Sequence, residues 1–152
     1  PYVLAGISDG GAHYKMQVAG YYATELLTYF VREKSAVTLE QVHYKLSGLP
    51  AFLAGIRDRG CLREGAAADI VVYDLQNLTL GKTEKVHDLP AGDWRLVDKP
   101  EGYRWTLVNG QITLRDGKPT GPLPGKLLRH GEDVLDVSGA LQYLQIRGFF
   151  RL

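Results

Sequence analysis

An apolar run opens the chain and stops at a glycine-rich loop. Residues Pro1 to Ile7 lack polar alternation, and Ser8-Asp9-Gly10-Gly11-Ala12-His13 follows them. A continuous run of this kind is typical of a parallel-sheet strand whose two faces are both covered. We therefore predict a buried strand that presents the carboxylate of Asp9 at its carboxyl end, where the loop begins.

A helix is predicted after this loop, over Tyr22 to Lys34. Apolar residues recur there every three or four positions, which is typical of an amphipathic helix with a wide apolar face. The apolar positions are Tyr22, Ala23, Leu26, Leu27, Phe30 and Val31, and the polar ones are Thr24, Glu25, Thr28, Arg32 and Glu33. The aromatic residues of this stretch, Tyr21 and Tyr29 included, are predicted to pack in the core rather than to form a binding face.

Two further helices are indicated by their end signals. Thr38 and Gln41 fit a capping box, in which each side chain satisfies a backbone donor of the other residue, and the neighbouring valines can form the accompanying hydrophobic staple. A second helix is therefore predicted to begin after Thr38. Pro50 suits the first position of a third, short helix, which Gly55 ends.

Strand patterns replace helical ones after Gly60. The β-branched run Ile70 to Tyr73 predicts a strand. Tyr103 to Val108 and Gln111 to Leu114 flank Asn109-Gly110, a pair that tolerates the positive φ angles of a two-residue hairpin turn. A β-hairpin is therefore predicted, with Asp116-Gly117 ending its second strand.

Two stretches have no clear period. Leu80 to Pro100 mixes charges with Pro90, Gly92 and Trp94, and we treat it as a long excursion between strands whose fold is not predicted. His130 to Leu152 has scattered apolar residues without caps or a regular face, and it receives no role.

Composition narrows the class of protein. Hydrophobic residues make up 45% and charged residues 23% of the chain, as in soluble globular proteins, and the net charge of +1 favours neither nucleic acid nor a membrane as partner. Cys61 is the single cysteine, so a disulfide framework is excluded and a reducing, cytoplasmic compartment is expected. No apolar run approaches the roughly 20 residues that span a bilayer.

The length bears on the first strand. A closed eight-stranded α/β barrel needs about 250 residues, whereas this chain has 152. We therefore expect the chain to be a fragment whose first strand has lost its neighbours.

An ordered set of motifs resembles the carboxyl-terminal part of metal-dependent amidohydrolases, and especially the N-acyl-D-amino-acid deacylase (D-aminoacylase) branch. The motifs are Ser8-Asp9-Gly10-Gly11-Ala12-His13, Leu49-Pro50-Ala51, Arg57-Asp58-Arg59-Gly60, Leu62 to Asp74, Leu107-Val108-Asn109-Gly110, Asp116-Gly117, Thr120-Gly121 and Pro124 to Arg129. The resemblance covers Pro1 to about Arg129 and lapses over the final tail.

The resemblance implies an α/β fold, with the last βα unit of a TIM-like barrel followed by strands of a small β-sandwich. Pro1 to Ser8 is similar to the eighth barrel strand, Tyr22 to Lys34 to its helix, and Asp69 to Leu114 to the late sandwich strands. The implied division is 1–59 for the end of the barrel, 60–129 for the sandwich part and 130–152 for a tail of unknown role.

The resemblance also assigns roles to the glycine-rich loop. The family's aspartate at the position of Asp9 faces the metal centre as general base and acid, because a carboxylate there can take the proton of an attacking water and then protonate the departing amine. Asp9 could in addition be a metal ligand. Gly10 and Gly11 would let substrate approach closely, and His13 would bind the substrate's carboxylate or line the pocket. A plain Asp-Gly turn and a solvated loop histidine are the alternatives.

Zinc is the implied cofactor, bound mainly by residues outside this chain. The four histidines, His13, His43, His87 and His130, show no His-x-His spacing. One carboxylate and one histidine do not fill a zinc tetrahedron. The remaining ligands are therefore expected in sequence that the chain does not contain.

We expect the complete protein to be a zinc-dependent hydrolase of non-peptide C–N bonds, acting on N-acyl-D-amino acids, and the fragment alone to be inactive. The alternatives are a cyclic-amide hydrolase or deaminase-type amidohydrolase, and a non-catalytic β-rich interaction module whose orphan strand pairs with another chain. The expected partner is a small-molecule amide rather than nucleic acid or a membrane, and a homo-oligomer stays open.

Overall fold

The computed structural model describes residues 3–6, 8, 11, 13–16 and 20–129. Asp9, Gly10 and the tail 130–152 lie outside these residues, and so do parts of the predicted first strand. None of the described helices is long and apolar enough to cross a membrane.

The first predicted helix is confirmed, but it changes its winding. Helix α1 (Tyr22–Glu25) continues as a π-helical segment (Leu26–Glu33). Its buried residues are Thr24, Leu27 and Thr28. Tyr29 and Phe30 are 42% and 39% exposed, so the prediction that these two aromatic side chains lie in the core is wrong for the described chain.

The hydroxyl groups of the buried threonines explain this outcome. Thr24 Oγ1 lies 2.8 Å from Tyr103 Oη, and Thr28 Oγ1 donates to the Thr24 carbonyl at 3.0 Å. Burial of a polar side chain costs little free energy when it is hydrogen-bonded. In addition, a π-helix bonds residue i to i+5, so a face extrapolated with a period of 3.6 drifts out of register.

The second and third predicted helices form one continuous helical stretch. Helix α2 (Leu39–His43) passes through a π-helical segment (Tyr44–Gly48) into helix α3 (Leu49–Leu53). The capping box is confirmed: Thr38 Oγ1 accepts from the Gln41 backbone N–H, and Gln41 Oε1 accepts from that of Thr38. Gly55 ends the stretch with a φ of 71°.

A four-stranded antiparallel sheet follows the helices. It consists of β1 (Ile70–Tyr73), β4 (Tyr103–Val108), β5 (Gln111–Arg115) and β6 (Lys118–Pro119), in the order β1-β4-β5-β6. The predicted hairpin turn is confirmed, because Asn109 and Gly110 have φ angles of 47° and 79°. Asp116 and Gly117 repeat this geometry at 45° and 74° and add the short strand β6.

The unassigned excursion contains a second hairpin. Strands β2 (Thr83–Val86) and β3 (Arg95–Asp98) pair in antiparallel register, and a short 3₁₀ turn (Pro90–Gly92) lies between them. Neither Thr-Glu-Lys-Val nor Arg-Leu-Val-Asp alternates apolar with polar residues, so the sequence pattern does not reveal this pair.

The core lies between the helices and one end of the sheet. Leu27, Val42 and Leu78 are buried, with 4%, 2% and 0% exposure. Partly buried apolar residues surround them: Leu26, Val31, Val37, Leu39, Leu46, Tyr73, Leu75 and Tyr103. Arg32 ties the same layers together, because its Nη1 donates to the carbonyls of Leu75 and Leu78 at 2.9 and 2.6 Å.

The predicted first strand is not formed by Val3 to Gly6, which have no strand pairing in the described chain. A parallel strand needs hydrogen-bonded neighbours on its edges, and the strands described here pair among themselves in antiparallel fashion. The chain thus contains both helices and strands, while the barrel unit, the two-sheet sandwich and the boundaries at 59 and 129 stay predictions.

Candidate active site

The glycine-rich loop is described at Ser8, Gly11 and residues 13–16. Gly11 and His13 have left-handed φ angles of 100° and 54°, and the Met16 N–H donates to the His13 carbonyl at 2.7 Å. Gly11 and His13 are exposed. The described part of the loop therefore turns tightly over His13 to Met16 and leaves Gly11 and His13 accessible, whereas Gly10, the third predicted substrate-binding residue, lies outside the described residues.

The β2–β3 hairpin contacts this loop at Tyr14 and Lys15. The Leu96 N–H donates to the Tyr14 carbonyl at 2.8 Å. Lys15 Nζ lies 2.7 Å from Asp93 Oδ2. No local sequence pattern indicates these contacts, because they join segments about eighty positions apart, and neither strand of the hairpin has a clear period.

A second cluster of polar side chains joins the segment that follows helix α3 to the four-stranded sheet. Arg59 donates through Nε to Asp69 Oδ2 at 2.7 Å, through Nη1 to Asp58 Oδ2 at 2.7 Å and through Nη2 to Asn109 Oδ1 at 3.0 Å. The Asn109 N–H donates to Asp69 Oδ1 at 2.7 Å. The Arg59 side chain is 14% exposed, whereas the side chains of Asp58 and Asp69 are 41% and 34% exposed, so only the guanidinium is largely shielded from water.

The network lowers the pKa of one carboxyl group. The Asn109 backbone N–H, followed by the Arg59 guanidinium, holds the pKa of Asp69 below its ordinary value, against the opposing effect of partial burial. A cavity of about 380 Å³ beside it is lined by Asp58, Arg59, Asn109 and Lys126, among others. These residues belong to three separate sequence motifs, around Arg59, Asn109 and Lys126. The fold brings the three motifs into contact at one place.

His43, on the second helix, contacts a tyrosine of the sheet. His43 Nε2 lies 2.6 Å from the hydroxyl group of Tyr73. The residue is exposed, so this hydrogen bond lies at the surface, between the second helix and β1.

The described residues do not build a metal centre. Within them there is no group of three or more His, Cys, Asp and Glu side chains that could hold an ion. Asp9, the predicted ligand and base, lies outside the described residues, so its position relative to His13 is not part of this geometry. A metal held by this chain alone therefore does not fit the residues that the structure places.

Comparisons with known proteins agree with the motif set. Residues 4–114 match the sequence profile of the amidohydrolase family. An N-acyl-D-aspartate deacylase of Alcaligenes xylosoxydans xylosoxydans is 32% identical over 112 residues, which are 73% of this chain and 20% of the relative. A dihydroorotase of Lactobacillus delbrueckii subsp. bulgaricus is 41% identical over 94 residues, which are 61% of this chain and 22% of the relative.

The solved structures point the same way. A crystal structure of D-aminoacylase superposes with a TM-score of 0.51 at 26% identity, over 66% of this chain and 19% of that one. The chain spans about one fifth of the length of the curated relatives that it matches. It belongs to the amidohydrolase family, and its likeness to two deacylases and to D-aminoacylase agrees with the D-aminoacylase branch.

Proposed function

We propose that the complete protein carrying this chain hydrolyses the amide C–N bond of N-acyl-D-amino acids, with Asp9 as general base and acid. The family match over residues 4–114, which includes Asp9 and its glycine loop, is the observation that carries the proposal. Two relatives, each 32% identical, are deacylases of N-acyl-D-aspartate and N-acyl-D-glutamate, and they support the substrate class.

The chemistry needs one group that works in both directions. Amide hydrolysis requires a water to lose a proton as it attacks, and the departing nitrogen must gain one. A carboxylate such as Asp9 can accept the first proton and, now protonated, supply the second, because both events occur at the same carbon. Gly10 and Gly11 carry no side chain that would keep substrate away, and the exposed ring of His13 is proposed to bind the substrate's carboxylate.

We further propose that zinc is the metal and that residues outside the chain hold most of it. The lack of a three-donor group in the described ranges supports this division. The D-aminoacylase neighbour is described as having a binuclear metal center. Metal dependence is therefore proposed for the complete protein rather than for these 152 residues.

Substitution of the base tests the proposal. In the complete protein, Asp9→Asn is expected to retain the metal content while turnover of N-acyl-D-amino acids falls about 10²- to 10⁴-fold, the usual contribution of a general base. Asp116→Asn is the matched control, because it makes the same change in an exposed hairpin turn. Hydrolysis by Asp9→Asn at the rate of the control would refute the role of Asp9.

A cyclic-amide hydrolase is the second candidate, favoured by the dihydroorotase relative at 41% identity. Dihydroorotate and hydantoins contain the same C–N bond within a ring, so the same base could serve them. Parallel assays of N-acyl-D-amino acids and these cyclic amides separate the two candidates. Failure to hydrolyse either class in the presence of zinc would favour the non-catalytic interaction module.

A further inference from the structure

The β2–β3 hairpin contacts the loop after Asp9 at two consecutive residues. Tyr14 accepts a backbone hydrogen bond from Leu96 at 2.8 Å, and the Lys15 ammonium group lies 2.7 Å from Asp93 Oδ2. Lys15 follows Asp9 by six positions in the sequence. The hairpin therefore holds Tyr14 and Lys15, which follow the proposed base closely in the sequence, although the hairpin itself is far away along the chain.

An aromatic ring adds a third contact. Trp94, which is half-buried, has Lys15 Nζ at 5.4 Å and Lys85 Nζ at 4.2 Å from its ring centroid. Cations within about 6 Å of an indole face are attracted by the ring quadrupole. Trp94 thus attracts the same ammonium group that pairs with Asp93 and favours the observed direction of the lysine side chain.

The backbone N–H of the next residue, Trp94, orients the carboxylate of Asp93. The Trp94 N–H donates to Asp93 Oδ1 at 2.8 Å, which leaves Oδ2 directed at Lys15. The preceding turn sets this arrangement, because Ala91 and Gly92 are both left-handed, with φ angles of 59° and 71°. The Lys15 ammonium, helped by the Trp94 N–H, lowers the pKa of Asp93, as expected for a carboxylate that both groups contact.

The loop itself needs such external contacts. His13 adopts a left-handed conformation at φ 54°, which is unfavourable for a residue with a Cβ. A conformation of this kind persists only where its surroundings fix it. The contacts at Tyr14 and Lys15 begin at the very next residue and supply that constraint.

Global stability does not account for this arrangement. The side chains of Lys15 and Asp93 are 42% and 43% exposed, and exposed ion pairs contribute little to the free energy of unfolding. The three contacts instead fix the backbone path at Tyr14 and Lys15. Small displacements of a reacting group strongly reduce rates, so a fixed path matters for catalysis more than for folding.

We propose that Lys15, Asp93 and Trp94 are positioning residues that hold residues 13–16, which follow Asp9 in the sequence, in the conformation needed for amide hydrolysis. The inference rests on the proposed function. It predicts that breaking the Lys15–Asp93 pair lowers turnover through Asp9 while the fold stays intact, and that the two residues act as one unit.

The test uses the complete protein with zinc and an N-acyl-D-amino acid. Lys15→Gln and Asp93→Asn are each expected to lower kcat roughly tenfold, with a smaller change in KM, because the loop is misplaced rather than lost. The double variant should fall no further than either single one, and Lys15→Arg should restore most of the rate. Asp88→Asn is the matched control, since the Asp88–Arg95 pair at 2.8 Å joins two residues of the hairpin itself.

A structural readout accompanies the kinetics. Hydrogen exchange at the Leu96 amide, which bonds to Tyr14, should accelerate in Asp93→Asn and stay unchanged in Asp88→Asn. Equal kcat values for Lys15→Gln, Asp93→Asn and Asp88→Asn, or unchanged Leu96 exchange, would overturn the positioning role alone. A wild-type protein without hydrolytic activity, or full turnover by Asp9→Asn, would instead overturn the proposed function and this inference with it.

Discussion

Gly102, directly before strand β4, lies close against the loop after β1. Its φ is 98°, and a Cβ added there would lie 2.7 Å from Leu78 Cα and 2.9 Å from the Asn77 carbonyl oxygen. Both are backbone atoms that cannot rotate away. The Gly102 carbonyl also accepts from the Asp74 N–H at 2.8 Å, so the segment has little freedom to shift. Gly102→Ala is therefore expected to destabilise the fold strongly.

The size of the effect follows from two separate costs. A left-handed conformation costs an alanine about 1–2 kcal/mol relative to glycine. Forcing a methyl group into packed atoms adds roughly 1–3 kcal/mol. The free energy of unfolding should therefore fall by about 2–5 kcal/mol in Gly102→Ala, the sum of those two costs.

Gly117→Ala separates these costs. Gly117 is also left-handed, with a φ of 74°, but nothing lies within 4 Å of its added Cβ. It should lose only the conformational part, about 1–2 kcal/mol. Urea unfolding followed by circular dichroism measures both variants. Equal losses in the two variants would show that the Gly102 contact yields freely, and the packing argument would then be refuted.

Two further predictions concern the core and the Arg59 network. Leu78→Ala should lower the free energy of unfolding by about 2–5 kcal/mol, because Leu78 is fully buried. Leu62→Ala is the control and should change this free energy little, because Leu62 is 82% exposed. Comparable losses for the two variants in urea unfolding would contradict the assigned core. The pKa of Asp69 is lowered in the folded state, so its stabilising contribution is present above the unfolded-state pKa of about 3.9 and is lost as pH falls through the folded value. Asp69→Asn should therefore be less stable at neutral pH and show a shallower loss of stability on acidification; an unchanged acid dependence of the unfolding midpoint would contradict this.

The amino-acid sequence by itself determined the features that depend on local backbone chemistry. The capping box at Thr38 and Gln41, the helix end at Gly55 and the hairpin turn at Asn109-Gly110 each involve residues within a few positions of one another. Their side chains or their tolerance of positive φ select one local conformation over others. The motif order, which led to the amidohydrolase family, is likewise a property of the sequence.

Only the tertiary structure decided which polar residues are buried and which distant segments meet. Thr24 and Thr28 replace Tyr29 and Phe30 on the buried face, because the π-helical winding rotates the face and Tyr103 offers a partner to Thr24. The contact of Lys15 with Asp93 joins positions 78 apart in the chain. The spacing of apolar residues predicts which side chains share a face of one helix or strand. Contacts between distant segments depend instead on how helices and strands pack against each other, and no local pattern encodes this packing.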